Sequence, residues 1–154
     1  MTNLPDGWVQ IWFHMPPGSN ATSMGMGAEL VAPDRVRLPR APWGAFGAAK
    51  HDILRIERDH DGQWWVKEKV TASGYCAIRI WASDDNPERF EDVVLADFAP
   101  LQVSGAGMFG LVVLDVPVTA DLQQVRRLLR DGERAGRWTV DELYVTTAWR
   151  KAAP

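Results

Sequence analysis

Apolar and polar positions alternate at the start of the chain. From Trp8 to Met15, Val9, Ile11 and Phe13 point one way and Gln10, Trp12 and His14 the other, the period of a half-buried strand. The run from Pro16 to Gly27 carries Pro16, Pro17, Gly18, Gly25 and Gly27 and reads as a loop. Short strands are predicted at 28–32, 35–38, 52–58 and 63–71. The last two flank Asp59-His60-Asp61-Gly62, where Asp-Gly signals a hairpin. Residues 39–49 hold Pro39, Pro42, Gly44 and Gly47 with two exposed-looking aromatics, Trp43 and Phe46, and read as an ordered loop. Strands this short and curled predict a small open barrel or a strongly twisted sheet.

Ser73-Gly74 punctuates a change of pattern. From Tyr75 to Thr146 the order is strand, helix, strand, strand, helix, strand, the ferredoxin-like βαββαβ arrangement. The strand at 75–82 puts Cys76, Ile78 and Ile80 on one face and Tyr75, Arg79 and Trp81 on the other. Asn86 is positioned to cap a helix with Pro87 at its first position. Phe90, Val93, Val94 and Phe98 follow at helical spacing until Pro100. Strands near 101–104 and 109–116 are joined by Gly105-Ala106-Gly107. Thr119 is the expected cap of a second helix with the stripe Leu122, Val125, Leu128 and Leu129, ending near Gly136. Trp138 to Thr146 supplies the last strand, and 149–154 reads as a loose tail. The fold class is therefore α+β: a β-rich N-terminal module over 1–74 joined to a ferredoxin-like half over 75–148. The short link predicts that the two share a core.

Composition narrows the class of function. The 154 residues are 46% apolar and 24% charged, a globular balance with enough apolar material for a real core. A net charge of −3 gives no global attraction to nucleic acid or anionic lipid. The single cysteine, Cys76, excludes an internal disulfide framework. MTNLPDGW has no basic region followed by an apolar run, and no stretch reaches the length of a membrane span, so a cytoplasmic location is expected. Charge is segregated. Asp84, Asp85, Glu88, Glu91, Asp92 and Asp97 mark the first helix region, and Arg126, Arg127, Arg130, Arg134 and Arg137 the second. Side by side on one face of a sheet, the two would attract.

No catalytic or metal motif survives inspection. Gly105-Ala106-Gly107-Met108-Phe109-Gly110 matches GxGxxG, but Leu111 to Val116 after it reads as a strand, so no helix N-terminus meets a phosphate and the motif reads as a hairpin turn. The βαββαβ order invites an RNA-binding reading, yet no Arg or Lys leads Phe109-Gly110, and Leu111 and Leu114 stand where aromatics belong. Nucleic acid is not expected as a partner, nor is a membrane. Cys76 reads as a core thiol. Lys50-His51-Asp52 offers a base that Asp52 could orient. Asp59-His60-Asp61 reads as a hairpin tip. Three histidines and one cysteine give no closed zinc set, so neither a metal nor a cofactor is expected. Tryptophan is abundant, and adjacent Trp64 and Trp65 must face opposite sides of a strand, which puts one of them under a loop or on a surface.

Several segments together resemble an uncharacterised bacterial family of about this length, a domain of unknown function. They are Val36-Arg37-Leu38, Trp43-Gly44-Ala45-Phe46-Gly47, His51-Asp52-Ile53-Leu54, Ser73-Gly74 leading into Ile78-Arg79-Ile80, and Val125-Arg126-Arg127-Leu128-Leu129 through Gly132-Glu133 to Gly136-Arg137-Trp138. The likeness covers most of 28–142. In that pattern a histidine commonly follows the Ser-Gly pair; here Tyr75 stands there and Cys76 follows. The resemblance supports the chain's organisation and implies no activity.

Two functions are expected from the residues. The first is a non-catalytic protein-binding or regulatory accessory protein, for example a toxin-neutralising one, with binding contacts from Trp43, Phe46, His51, Tyr75 and Trp81. The second is a small tailoring enzyme or small-molecule binder in natural-product biosynthesis, with His51 or Tyr75 moving a proton in a tryptophan-lined cavity.

Overall fold

In the computed structural model, which describes residues 4–45, 47–83 and 89–154, the opening alternation forms strand β1 (Trp8–His14) with Ile11 and Phe13 turned inward. Strands β2 (Ser23–Ala32), β3 (Arg35–Arg37), β4 (Ile53–Arg58) and β5 (Trp64–Thr71) follow, each antiparallel to the one before. β5 then pairs in parallel with β1, Ile11 opposite Trp64 and Trp12 opposite Trp65, and the barrel closes. The expected open barrel or twisted sheet is thus corrected. Five strands that alternate in direction leave the first and last running the same way, and joining them removes both edges. No local period announces that pairing.

β2 also begins earlier than expected, because Gly25 and Gly27 are strand residues and not loop punctuation. Gly25 lies opposite Trp12, and a Cβ there would come within 2.7 Å of the Trp12 ring; one on Gly27 would come within 2.6 Å of Leu4 Cδ2. The two glycines give neighbouring side chains a flat bed on the barrel's outer surface.

The chain divides into two compact units, Met1–Ser73 and Gly74–Pro154. Each unit has its own cluster of buried apolar side chains. The barrel cluster holds Ile11, Phe13, Met26, Val36, Leu38, Leu54 and Ile56. Each turns inward from a strand or its end, and burying such a side chain contributes about 1.5–3 kcal/mol.

The second unit runs β6 (Cys76–Ala82), α1 (Phe90–Phe98), a 3₁₀ turn (Ala99–Leu101), β7 (Ser104–Met108), β8 (Leu111–Val116), α2 (Leu122–Arg134), β9 (Trp138–Tyr144) and α3 (Thr147–Lys151). Its sheet has the order β7-β8-β6-β9, with every neighbouring pair antiparallel. Cys76, Ile78 and Ile80 pack with Val94, Phe98, Val125, Leu129, Trp138 and Trp149. The predicted Asn86 cap and Pro87 lie outside the described residues.

Three local expectations are corrected here. The β7–β8 turn is Phe109-Gly110 and not Gly105-Ala106-Gly107, which belong to β7 itself. Glycine is needed there because α1 packs close: a Cβ on Gly107 would fall 2.5 Å from Glu91 Cγ. The cap of α2 is Asp121, whose side chain accepts from Gln124 N at 3.2 Å, and not Thr119. The tail is not loose. Thr146 caps α3 by accepting from Trp149 N at 3.2 Å, and Trp149 is buried with its Nε1 donating to Glu142 at 2.5 Å. The arginine stripe takes part in this. Arg126 donates to the Trp149 carbonyl at 2.8 Å and Arg130 to that of Pro154 at 3.3 Å, while Arg137 pairs with Asp97 at 3.0 Å.

Candidate functional site

The first unit holds a small polar cleft. It encloses about 400 Å³ and is lined by Trp8, Glu29, Arg37, Leu38, Pro39, Lys50 and His51. Asp52 explains its position. That side chain is fully buried, accepting from Ala49 N at 2.9 Å and Ser73 N at 2.8 Å, and it pairs with Lys69 at 2.7 Å. Asp52 therefore points inward as an anchor. His51 just before it is exposed and takes a left-handed backbone, φ 67°, which few non-glycine residues adopt. Its N–H donates to the Leu38 carbonyl at 2.8 Å, which fixes the turn. Among the lining residues Arg37 donates to Glu29, its partner on the neighbouring strand, at 3.0 Å. Cationic groups outnumber the one carboxylate among the lining residues, so the cleft suits a small anionic group. Trp43 is half-buried, with Arg40 5.4 Å from its ring centroid, and does not line the cleft. Phe46 lies outside the described residues.

The barrel's outer surface carries an aromatic run. Trp64 packs against the barrel core, and Arg58 lies 4.7 Å from its ring centroid. Trp65 faces outward, stacks on His14 at 4.2 Å and lies 6.5 Å from Trp12. Its Nε1 donates to Asp59 at 2.8 Å. Asp59 also accepts from Gln63 N and Asp61 N, both at 2.9 Å, and so shapes the hairpin. Chiefly the Gln63 N–H, then the Trp65 indole, hold the Asp59 carboxyl below the ordinary aspartate range. A carboxylate lowered on folding stabilises above its unfolded range, and the contribution disappears as pH falls through the lower folded value. Asp59→Asn is therefore expected to flatten the acid limb of the stability curve. Unfolding free energy measured between about pH 5 and pH 2 checks this, and an unchanged limb would contradict it. Among the described residues no group of three acidic, histidine or cysteine side chains is placed to hold a metal.

In the second unit, Trp81 and Arg79 share one carboxylate. Asp141 accepts from Arg79 Nε at 3.0 Å, Arg79 Nη2 at 2.9 Å and Trp81 Nε1 at 2.9 Å. The arginine lies 5.3 Å from the Trp81 ring centroid. Trp81 pairs with Leu111, and Leu111 with Met108, so the three side chains share a sheet face. Trp81 is 41% exposed and Met108 40%; Phe109 at the adjoining hairpin tip is 92% exposed with φ 53°. Tyr75 is half-buried just before β6, roughly 20 Å along the strand from Trp81 at the usual rise per residue. His51 belongs to the first unit and Tyr75 to the second. Sequence reasoning missed Phe109 and Asp141. Gly110 between two apolar runs is the one signal for the tip, since a two-residue loop favours glycine at its second position; Phe109 stands where asparagine, aspartate or glycine is usual, and so hides it. Cys76 is a core thiol, its Sγ 3.7 Å from Thr146 Oγ1.

Comparison with known proteins supplies a family and a fold. The family described as Domain of unknown function (DUF4265) matches residues 25–140. A solved structure of a hypothetical protein from Neisseria gonorrhoeae is similar with a TM-score of 0.71 at 19% identity, covering 88% of this chain and 94% of that one. At that identity the likeness concerns the fold alone. No curated protein matches. No helix among the described residues is long and apolar enough to cross a membrane.

Proposed function

The chain belongs to that family of unknown function, and from its geometry we propose a non-catalytic protein-binding accessory protein, of the regulatory or toxin-neutralising kind. The observation that carries this reading is Phe109. A bulky apolar ring stands 92% exposed on a backbone conformation that L-residues avoid, at a place where asparagine or glycine would serve folding better. Trp81 and Met108 extend it into an apolar patch, with the Asp141 carboxylate and Arg79 as polar neighbours. An apolar anchor ringed by polar groups is how protein interfaces are built. The second unit is read as ferredoxin-like; its βαββαβ order and the sheet order β7-β8-β6-β9 support that reading. A cytoplasmic location suits the lone unpaired thiol.

The cleft at Lys50 and His51 favours a second reading, a binder of a small anionic molecule, since it gathers cations around about 400 Å³ beside a strained histidine. One experiment separates the two. Tagged wild type, Trp81→Ala with Phe109→Asn, and Lys50→Ala with His51→Ala are each isolated from the source cell, and both proteins and metabolites are identified by mass spectrometry. A stoichiometric protein partner lost only with the Trp81 and Phe109 pair is the expected result. A metabolite lost only with the Lys50 and His51 pair would overturn the first reading in favour of the second.

A further inference from the structure

The apolar patch adjoins an open strand edge. β7 lies at the end of its sheet, and among the described residues no strand pairs with its outer side. Phe109 and Gly110 both have positive φ, 53° and 77°, which makes the tip a two-residue hairpin loop with Met108 and Leu111 as the hydrogen-bonded pair. By alternation the backbone N–H and C=O of Gly105 and Gly107 then face away from β8. Ser104-Gly105-Ala106-Gly107-Met108 contains no charge and no proline, two of the devices that guard an edge. Beside this edge runs a groove of about 430 Å³ lined by Leu95, Ala99, Gln102, Val103, Ser104 and Gly105. Gly105 has no side chain to fill it: a Cβ there would lie 3.2 Å from Leu95 Cδ2. A residue placed opposite Gly105 on an added strand would point to the same side and enter the groove.

Charge chooses among occupants. α1 carries Glu91, Asp92 and Asp97 and no cation. Glu91 accepts from Gly110 N at 3.3 Å and Asp97 pairs with Arg137, which leaves Asp92 exposed toward solvent. A second copy pairing β7 with β7 would bring two acidic α1 helices together, and like charges oppose that. An extended segment with an apolar, alternating middle and lysine or arginine at its flank meets both the edge and the exposed Asp92 carboxylate. We propose that β7 receives such a segment of a protein partner as a fifth strand, with one apolar side chain of the segment seated between Leu95 and Ala99. The proposal rests on the protein-binding reading and names how that partner is held.

The test selects against the whole protein from a displayed library of random peptides of about ten residues. Enriched sequences are expected to alternate apolar and polar residues and to carry a basic flank. Their synthetic forms should shift the backbone resonances of residues 104–108. Methylating the peptide nitrogens on one alternate set of residues should weaken binding about tenfold or more, and on the other set much less. Ala99→Tyr, an exposed position whose new ring would fill the groove, should weaken binding by a similar factor. Equal effects of the two methylation sets, shifts confined to other residues, or no enrichment would each overturn strand addition. If strand addition fails while the Trp81 and Phe109 pair still loses the native partner, only this proposal falls. If the native partner is also retained by that pair, the protein-binding reading falls with it.

Discussion

Asp52→Ala is expected to destabilise the first unit by about 3 kcal/mol, the lower end of the range for breaking a buried ion pair. The carboxylate is fully buried and serves three groups at once: Ala49 N, Ser73 N and the Lys69 ammonium. Removing it strands two backbone donors and a cation in the same place. The Lys69 side chain is 21% exposed, but its ammonium nitrogen is itself buried, so the exposure belongs to the methylene stem and water does little to relieve the stranded charge. The same geometry ranks the two partners. Lys69→Met leaves the carboxylate with both backbone donors, so its loss should be smaller than that of Asp52→Ala. Denaturant unfolding followed by tryptophan fluorescence measures both; a larger loss for Lys69→Met would show that the ammonium, and not the carboxylate, is the hub. Because Asp52 ties the 49–52 turn to the end of β5, its loss should also displace His51 and Lys50 and open the cleft they line.

Trp149→Ala is expected to cost the second unit about 3–5 kcal/mol, as other buried tryptophan truncations do. The side chain is buried in the core with Ile78, Ile80, Val125 and Leu129, and its indole N–H is satisfied by Glu142 at 2.5 Å. Truncation leaves a cavity and an unpaired carboxylate. Losing only the arginine that holds this segment, by Arg126→Ala, should cost less, since it removes hydrogen bonds to carbonyls near the surface. A tail without structural weight would instead show no change for Trp149→Ala in the same unfolding measurement.

Strand periods were legible where one side of a strand is buried. The alternation of Val9, Ile11 and Phe13, and of Cys76, Ile78 and Ile80, gave two strands their inward faces because one side of each meets a core. Barrel closure was not legible, since the β1–β5 pairing joins residues more than fifty positions apart and no local pattern encodes it. Glycine misled in both units. Gly25, Gly105 and Gly107 look like turn residues, yet each sits in a strand where a neighbour approaches too closely for a Cβ: the Gln10 and Trp12 side chains at Gly25, the Val113 carbonyl at Gly105 and Glu91 at Gly107. The tail failed for a related reason: a five-residue helix has no room for a period, and its single buried tryptophan looks the same in sequence as an exposed one. Of the expected binding residues, Trp81 lies in the apolar patch and His51 in the polar cleft, while Trp43 is half-buried beside Arg40. Exposure at the tip could not be read from composition, because it depends on Phe109 occupying the turn itself.

The most direct measurement is made on Phe109→Asn, for stability and for partner capture together. Asparagine tolerates the left-handed conformation that costs other L-residues roughly 1–2 kcal/mol, and it removes an apolar ring from water. The account predicts that the free variant unfolds at higher denaturant concentration than wild type and no longer retains the partner that wild type retains. A variant less stable than wild type, or one that keeps the partner undiminished, would contradict the claim that Phe109 is held at the tip for binding.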